Sequence, residues 1–233
     1  MSARAPEFTA QAQQGWWLQH WASPRIMAGG TDRHLNQRQL LEGVRSSPVL
    51  VEAEQVHGGS LASIGHVRSC AKPIPGCDAL LTDVPGMALL IRTADCLPIF
   101  FAAPWRGVVG IAHAGWRGLA ALLPAKMIAA FRHLYHARPE ELHVAIGPAI
   151  RSCCYEVGAE FEKRFGRFVQ ERKGRRTCDL IGVATDQLRQ SGVRAQQLFD
   201  SGCCTACDLK QWFSVRREGA STGRLTSLIM LHP

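Results

Sequence analysis

The sequence predicts an α/β fold, a single-domain mixed-sheet sandwich with helices packed on the sheets. Nearly continuous apolar runs such as "MALLIRT" (87–93) are typical of strands covered on both faces. Other segments, such as 118–136, carry apolar residues at helical spacing. Buried strands mixed with helices are typical of layered α/β folds. Because no shift in composition marks a boundary, residues 1–233 are predicted to form one domain.

The N-terminal part of the chain is weakly patterned up to residue 47. Within it, "QGWWLQHW" (14–21) fits either a strand or an early helix, and "AGGTDRHLN" (28–36) fits a loop. The next segment, "VLVEAEQ" (49–55), is a predicted strand. It is followed by "GCDALLTDVPG" (76–86), which predicts a short strand between two turns.

The middle of the chain predicts a hairpin followed by a helix. The apolar runs "PIFFA" (98–102) and "VVGIAHA" (108–114) are separated by Pro104 and Arg106. This long apolar window is therefore interpreted as two short strands around a turn, and not as a membrane span. The segment 118–136 follows as a helix, with Pro124 in its first turn.

The C-terminal third alternates between strands and helices. "LHVAIGP" (142–148) is a predicted strand, and segments 156–170 and 179–191 are predicted helices. "ERKGRR" (171–176) is interpreted as a polar link between these helices. "RLTSLIML" (224–231) predicts a final strand.

Composition limits the classes of function. The chain has 27 Lys and Arg against 19 Asp and Glu, a formal net charge of +8. Such a charge suits nucleic acid or a small anion such as phosphate, but no nucleic-acid-binding signature stands out. The nine cysteines are an odd number in a chain too long to need a disulfide framework. With no signal peptide visible, we expect a cytoplasmic protein with reduced thiols, no nucleic-acid or membrane partner, and an oligomeric state that the sequence does not reveal.

Three predicted strand ends carry residues that could form one reactive site. His57 follows the strand 49–55, Cys96 lies between two strands, and His113 ends a third strand in "HAGWRG". Strand ends are where rigid scaffolds present side chains to a cleft. Two imidazoles and one thiolate suit zinc, with a fourth position left open. Zinc in such a site activates water and polarises a carbonyl or a ring nitrogen.

Four further polar residues are candidates around this site. The guanidinium of Arg117 suits phosphate or a ribose hydroxyl, but could instead pair with a carboxylate such as Asp95. Asp95 is a candidate for contacting substrate or orienting a ligand imidazole, or it closes the turn before Cys96. Gln55 could hydrogen-bond substrate or sit at a strand edge. Asp78 could line the cleft, although a turn-capping role is favoured.

The remaining cysteines are interpreted as reduced structural thiols. "CCTAC" contains one Cys-x-x-Cys pair, formed by Cys204 and Cys207. A four-thiolate zinc site would need a second matching pair, and the adjacent Cys153 and Cys154 have the wrong spacing for one.

Eight motifs in order give the sequence a family resemblance over about residues 49 to 232. They are "QVHG", "CDALLTD", "TADCLPI", "AHAGWRGL", "AIGPAI…CCYEVG", "CCTAC", "FSVRRE" and "TGRLTSLIML". The chain resembles the laccase-domain or multicopper polyphenol oxidase family, also called the peptidoglycan editing factor family. In two places it departs from the family pattern: the N-terminal region is shortened, with Arg33 as a stand-in, and Val215 replaces a common aromatic residue.

The resemblance implies a zinc-binding purine nucleoside enzyme. Its activities would be phosphorolysis of adenosine, inosine and methylthioadenosine, together with adenosine deamination. The family's metal and catalytic set falls on His57, Cys96 and His113. An older assignment of the family is a copper-dependent phenol oxidase, but no two histidines of this chain form a His-x-His pair.

Two alternatives to a metalloenzyme stay open. Cys96 could be the nucleophile of a Cys–His hydrolase acting on cell-wall precursors, with His57 or His113 as the base. The chain could also be a non-catalytic scaffold that holds zinc for structure, although three ligands with an open fourth position argue against that.

Overall fold

The structure is a computed structural model that describes residues 7–11, 15–42, 44, 47–65, 72–172 and 174–233. The strands are β1 (Glu7–Gln11), β2 (Gly15–Gln19), β3 (Ile26–Gly30), β4 (Val49–Glu52), β5 (Leu61–Ser63), β6 (Ala79–Thr82), β7 (Met87–Thr93), β8 (Leu97–Ala103), β9 (Val108–Ala114), β10 (His143–Ile146), β11 (Val169–Arg172), β12 (Arg175–Cys178), β13 (Leu198–Asp200) and β14 (Leu225–Leu231). The α-helices are α1 (Gln37–Glu42), α2 (Trp116–Ala120), α3 (Leu123–Tyr135), α4 (Glu160–Phe165), α5 (Leu180–Gln190) and α6 (Val215–Glu218).

Two six-stranded sheets form the framework. The first has the strand order β1-β2-β3-β14-β7-β4, and the second has the order β13-β10-β8-β9-β6-β5. Both are mixed: the first sheet has one parallel pair at an edge, β4 with β7, and the second has a parallel pair at each edge, β5 with β6 and β10 with β13. The predicted α/β mixed-sheet sandwich is confirmed.

The alternation of side chains along each strand builds a core between the two sheets. In β7, Leu89 and Ile91 join the inner cluster with Phe100 of β8 and Ile111 of β9. The residue between them, Leu90, points to the opposite face of its sheet and packs in a separate cluster. Because both faces are covered, β7 is apolar at successive positions, as the run 87–93 predicts.

Helices cover the outer face of each sheet. Leu40 of α1 packs on the first sheet beside Leu90 and Met230. On the second sheet, Phe131 of α3 and Leu188 of α5 are buried in the outer cluster. The result is four layers, helix, sheet, sheet and helix, with the strand ends free to carry a site.

Several predicted elements are confirmed by the structure. The segments 87–93 and 224–231 form central neighbours of one sheet, and 98–102 with 108–114 forms the antiparallel hairpin of β8 and β9. The predicted helix over 118–136 is broken in two, because Leu122 takes a left-handed conformation with φ of 59° between α2 and α3. Pro124 lies in the first turn of α3, as predicted.

Two expectations for the C-terminal third are wrong. The segment 156–170 is α-helical only in α4, which Gly166 ends with φ of 46°, and a short 3-10 helix over Gly166–Phe168 follows. The predicted polar link 171–176 belongs instead to a hairpin of β11 and β12. Its turn contains Gly174 at φ of 72°, a conformation that glycine adopts without steric cost.

In the N-terminal part, residues 28–30 were expected to be loop, but they complete β3.

No helix within the described ranges is both long and apolar enough to cross a membrane.

Candidate active site

Three strand ends meet at one edge of the sandwich. His57 lies in the loop after β4, Cys96 lies in the turn between β7 and β8, and His113 is the penultimate residue of β9. One side-chain ligand atom from each, a ring nitrogen or the sulfur, lies within 4.8 Å of the other two. The rings of His57 and His113 meet edge to face, with centroids 4.7 Å apart. The structure therefore brings together the three residues that the strand-end argument singled out.

The backbone around these residues is shaped to bring them together. His57 has φ of 57° and Asp95, just before Cys96, has φ of 94°, so both loops turn sharply. Gly115 follows β9, and a Cβ atom there would lie 2.9 Å from the sulfur of Cys96. A residue without a side chain is thus required at position 115, which explains the first glycine of "HAGWRG".

Asp78 connects two of the three loops behind the site. Its Oδ1 atom lies 2.8 Å from Nδ1 of His113, and both side chains are buried. The same carboxylate accepts backbone N–H bonds from His57 at 2.9 Å and from Gly58 at 2.7 Å. One buried carboxylate therefore fixes both a ring orientation and the neighbouring loop. The orienting role that the sequence analysis considered for Asp95 belongs to Asp78.

The electrostatics of the site favour a thiolate beside an imidazolium. Burial raises the pKa of the Cys96 thiol, but hydrogen bonds and charge from His113 and His57 outweigh burial and lower it to about 7. Burial lowers the pKa of His113, but its hydrogen bonds to Asp78 and Cys96 raise it to about 9. Burial alone would raise the pKa of Asp78, but the hydrogen bonds from His113 and Gly58 outweigh burial and lower the pKa below its ordinary value. The carboxylate is therefore ionised.

This donor set fits a divalent transition metal. Asp78 occupies Nδ1 of His113, which leaves Nε2 for a ligand bond, the arrangement found in carboxylate–histidine–metal sites. The lowered pKa of Cys96 favours the thiolate, the form in which cysteine binds metals. Two imidazoles and a thiolate suit zinc or copper, and three protein ligands leave a coordination position for another molecule.

A cleft of about 310 Å³ opens in front of the three residues. It is lined by Glu52, Ala53, Glu54, Gln55, His57, Pro73, Arg92, Thr93, Ala94, Cys96, His113, Val215 and Arg224. A larger cavity of about 640 Å³ along β2 and β3 contains none of the predicted site residues. We assign the chemistry to the smaller cleft because the reactive side chains lie there.

Gln55 and Asp95 are held by the protein itself. The side-chain amide of Gln55 donates to the backbone carbonyl of Arg92 at 2.6 Å and accepts from its N–H at 2.7 Å, so it extends the edge of β7. The carboxylate of Asp95 accepts from the Thr205 hydroxyl and from the Arg216 N–H, each at 2.7 Å. Asp95 does not line the cleft, and it pairs with neither Arg117 nor an imidazole.

The arginine that the structure places in the cleft differs from the one predicted. Arg117 lies outside the lining, on the exposed face of α2, with its guanidinium 4.5 Å from the ring centroid of Trp116. Arg92 and Arg224 line the cleft instead, and sequence reasoning missed both. Arg92 is paired with Glu52 at 2.6 Å. Among the described residues, Arg224 donates only to backbone carbonyls and forms no ion pair. Its position in "TGRLTSLIML", just before a strand, was the available signal.

Sequence comparisons find relatives that share most of the chain. The chain is 34% identical over 216 residues to purine nucleoside phosphorylase YlmD of Geobacillus stearothermophilus, covering 85% of this chain and 78% of that protein. It is 41% identical over 160 residues to a purine nucleoside phosphorylase of Deinococcus radiodurans, covering 66% of this chain and 61% of that one.

Solved structures give the same result. The crystal structure of YlmD from Geobacillus stearothermophilus superposes with a TM-score of 0.89 at 30% identity, covering 98% of this chain and 100% of that chain. The hypothetical protein YfiH of Bacillus licheniformis superposes with a TM-score of 0.88 at 25% identity, over 96% and 98% of the two chains. The family model described as multi-copper polyphenol oxidoreductase laccase matches residues 32–232. The chain therefore belongs to that family.

Proposed function

We propose that this protein is a zinc-dependent enzyme that cleaves purine nucleosides with phosphate and also deaminates adenosine. The observation that carries the proposal is the convergence of His57, Cys96 and His113 at one cleft, with Asp78 bound behind His113. Relatives that cover most of this chain are named purine nucleoside phosphorylases, which supports the choice of reaction.

The proposed substrates are adenosine, inosine and methylthioadenosine. In phosphorolysis, an oxygen of phosphate forms a bond to C1′ of the ribose while the bond from C1′ to the base nitrogen breaks. The base leaves with a proton, and the sugar becomes ribose 1-phosphate or its methylthio derivative. In deamination, water replaces the 6-amino group of the purine and ammonia is released.

The residues of the cleft match these substrates in size and charge. A volume of about 310 Å³ falls at the lower end of the range for small-molecule sites. Arg224 offers a guanidinium without a carboxylate partner among the described residues, and its planar group suits a phosphate oxyanion. Arg117 remains a second candidate for this role from the outer side of α2.

His57, Cys96 and His113 would hold the metal ion, and Asp78 would keep the ring of His113 in the orientation that exposes Nε2. A bound zinc ion supplies Lewis-acid stabilisation of negative charge and activation of water. The glycine at position 115 leaves the space that the Cys96 sulfur needs for this arrangement.

Product analysis tests the proposal directly. The purified protein incubated with inosine and phosphate should form hypoxanthine and ribose 1-phosphate in equal amounts. Cys96→Ala should lose this activity together with the metal at this site, whereas Cys178→Ala, which removes a buried thiol elsewhere, should keep both. If wild-type protein loaded with zinc releases no base from any of the three nucleosides, the proposal is wrong. Copper in place of zinc in the active protein would overturn the choice of metal.

A second candidate rests on the row formed by Asp78, His113 and Cys96. A carboxylate that orients an imidazole beside a thiol with a pKa of about 7 is also the arrangement of a cysteine hydrolase. The two candidates differ in their dependence on metal. A hydrolase of cell-wall precursors would keep its activity after chelation, whereas the nucleoside enzyme would lose activity and regain it with zinc.

A further inference from the structure

Four cysteines outside the candidate active site form a second cluster. Cys153 and Cys154 lie in the loop after β10, and Cys204 and Cys207 lie in the loop after β13. All four sulfurs lie within 4.8 Å of one another. The sulfur of Cys207 is 3.5 Å from that of Cys153 and 3.4 Å from that of Cys154. The adjacent positions of Cys153 and Cys154, which the sequence analysis took as an argument against a four-thiolate site, therefore do not keep their sulfurs away from Cys204 and Cys207.

The sheet brings the two loops together. Strands β10 and β13 are parallel neighbours, so both loops leave the sheet at the same edge. Beyond the strands, the loops stay joined by a bridge between Ala149 and Cys204, with the N–H of Thr205 donating to the carbonyl of Ala149 at 3.1 Å. The loop after β10 thus supplies Cys153 and Cys154 to the cluster. These two residues are adjacent in sequence, and both lie in a tight turn. In that turn, the N–H of Cys154 donates to the carbonyl of Arg151 at 2.9 Å.

The sulfur distances fit a metal site. A disulfide bond needs sulfurs about 2.05 Å apart, far closer than any pair measured in this cluster. Zinc–sulfur bonds of about 2.3 Å place the sulfurs of a tetrahedral site about 3.8 Å apart. The sulfur of Cys207 lies 3.5 Å and 3.4 Å from those of Cys153 and Cys154, slightly less than that separation. The other sulfurs of the cluster are at most 4.8 Å apart. If all four thiols lose their protons, the thiolates repel one another, and a divalent cation between them neutralises part of their charge.

We propose that Cys153, Cys154, Cys204 and Cys207 bind a structural zinc ion as a closed four-thiolate site. Four protein ligands saturate a tetrahedral ion, so this site leaves no position for substrate. Soft thiolate ligands select zinc, copper(I) or iron–sulfur clusters, and a closed tetrahedral set of four cysteines is typical of structural zinc. The proposal does not depend on the reaction proposed for the cleft; only the total zinc counts expected below include the ion proposed there.

The four-cysteine site would stabilise the turn that carries Cys96. Thr205 lies between Cys204 and Cys207, and its hydroxyl donates to the Asp95 carboxylate at 2.7 Å. The N–H of Ile150, in the other loop, donates to the carbonyl of Asp95 at 2.9 Å. Both loops of the cluster therefore contact the residue that precedes Cys96. A metal ion that joins the loops would hold this turn at the edge of the cleft.

Metal analysis of the full-length protein, purified under reducing conditions, tests this site. Wild-type protein should contain two zinc ions per chain, and Cys96→Ala should retain one. The double variant Cys204→Ala, Cys207→Ala should also retain one zinc ion per chain. Its matched control is Cys203→Ala, because Cys203 is the neighbour of Cys204 but lies outside the cluster. The control should keep both zinc ions.

Wild-type protein provides a measurement that does not depend on a variant folding. Zinc bound to four thiolates should protect Cys153 and Cys207, both exposed, from a thiol reagent until a chelator is added. Mass spectrometry should locate the chelator-dependent labels on the four cluster cysteines. Disulfide bonds among them, labelling that is independent of chelator, or zinc in the Cys96→Ala protein at no more than trace level would each overturn the proposal. Iron bound in stoichiometric amount instead of zinc at the four cysteines would overturn the choice of metal.

Discussion

Oδ1 of Asp78 lies 2.8 Å from Nδ1 of His113, inside a part of the protein closed to solvent. The two residues face each other because β6 and β9 are antiparallel neighbours, with Ala79 opposite Ala112. One step beyond that pair, a carboxylate meets an imidazole. This contact occupies Nδ1 of His113, so Nε2 is the ring nitrogen left for a metal ion.

Replacing Asp78 by asparagine should weaken metal binding at the cleft. The amide is uncharged, so it stabilises a protonated Nδ1 less, and the pKa of His113 should fall from about 9. Changes of this kind in a residue that orients a metal ligand cost about 10- to 100-fold in metal affinity. Competition with a chromogenic chelator measures the zinc affinity of the wild-type and variant proteins.

The matched control for this change is Asp83→Asn. Asp83 is exposed just after the same strand, β6, and should leave zinc affinity unchanged. Equal zinc affinity in wild-type protein and Asp78→Asn would show that His113 does not need its carboxylate partner, and the argument for Asp78 would then be withdrawn.

Gly115→Ala should damage the site while leaving the fold intact. The added Cβ would lie 2.9 Å from the sulfur of Cys96, so either the sulfur or the loop must move. A misplacement of about 1 Å at reacting groups costs on the order of 100-fold in rate. Nucleoside cleavage and zinc content would be measured beside thermal unfolding. Gly65→Ala is the control, because a Cβ there meets no atom within 4 Å. Full activity in Gly115→Ala would contradict the tight packing of Cys96.

In protein stripped of metal, Cys96 should react with iodoacetamide in a pH range where ordinary thiols are inert. Burial raises the pKa of its thiol, but hydrogen bonds from His113 and His57 lower it to about 7. Labelling should therefore be slow below pH 7 and rise as the pH increases through about 7, since only the thiolate reacts. Burial raises the pKa of Cys178 to about 12, which makes it an unreactive internal reference. Peptide mass spectrometry at a series of pH values measures both residues, and a midpoint for Cys96 near that of a free thiol would contradict the prediction.

The pattern of apolar residues was enough to predict the buried strands. In the runs 87–93 and 224–231, every position except the exposed Arg92 and Arg224 is buried and is apolar or small, so the signal is strong. The hairpin of β11 and β12 was missed because its strands are short and rich in charge, with only four residues each. Most of their described residues are exposed or half-buried, which leaves no periodic apolar signal, and the turn that joins them contains Gly174.

The site could be predicted only as far as strand ends reveal it. His57, Cys96 and His113 each follow or end a strand, so their convergence follows from the sheet. The sequence could not show which carboxylate binds His113, because Asp78 and Asp95 both lie beside strand ends. Only the register of β6 against β9 shows that Asp78 is the one opposite His113. The metal and catalytic roles of the three residues, and the single domain over 1–233, remain predictions.

Two arginines, Arg224 and Arg117, are candidates for the proposed contact with phosphate. Arg224 lines the cleft, and its guanidinium donates to the carbonyls of Ala220, Thr222 and Gly223. Within the described chain it forms no ion pair. Arg117 was the sequence-based choice, but it lies outside the cleft lining and stacks on Trp116. These placements favour Arg224 as the group that meets phosphate.

Arg224→Ala should therefore raise the KM for phosphate, and Arg117→Ala should not. Loss of a hydrogen bond to a charged group costs about 1.5–3 kcal/mol, which corresponds to roughly a 10- to 100-fold loss in kcat/KM. Zinc content should stay at the wild-type level in both variants, because neither side chain belongs to the ligand set. Adenosine deamination should change little in Arg224→Ala, since that reaction uses no phosphate. An equal loss of both activities would mean that Arg224 contacts the nucleoside. If Arg117→Ala alone lost phosphorolysis, phosphate would approach the metal from the side of α2, and the cleft-lining arginine would have no part in its binding.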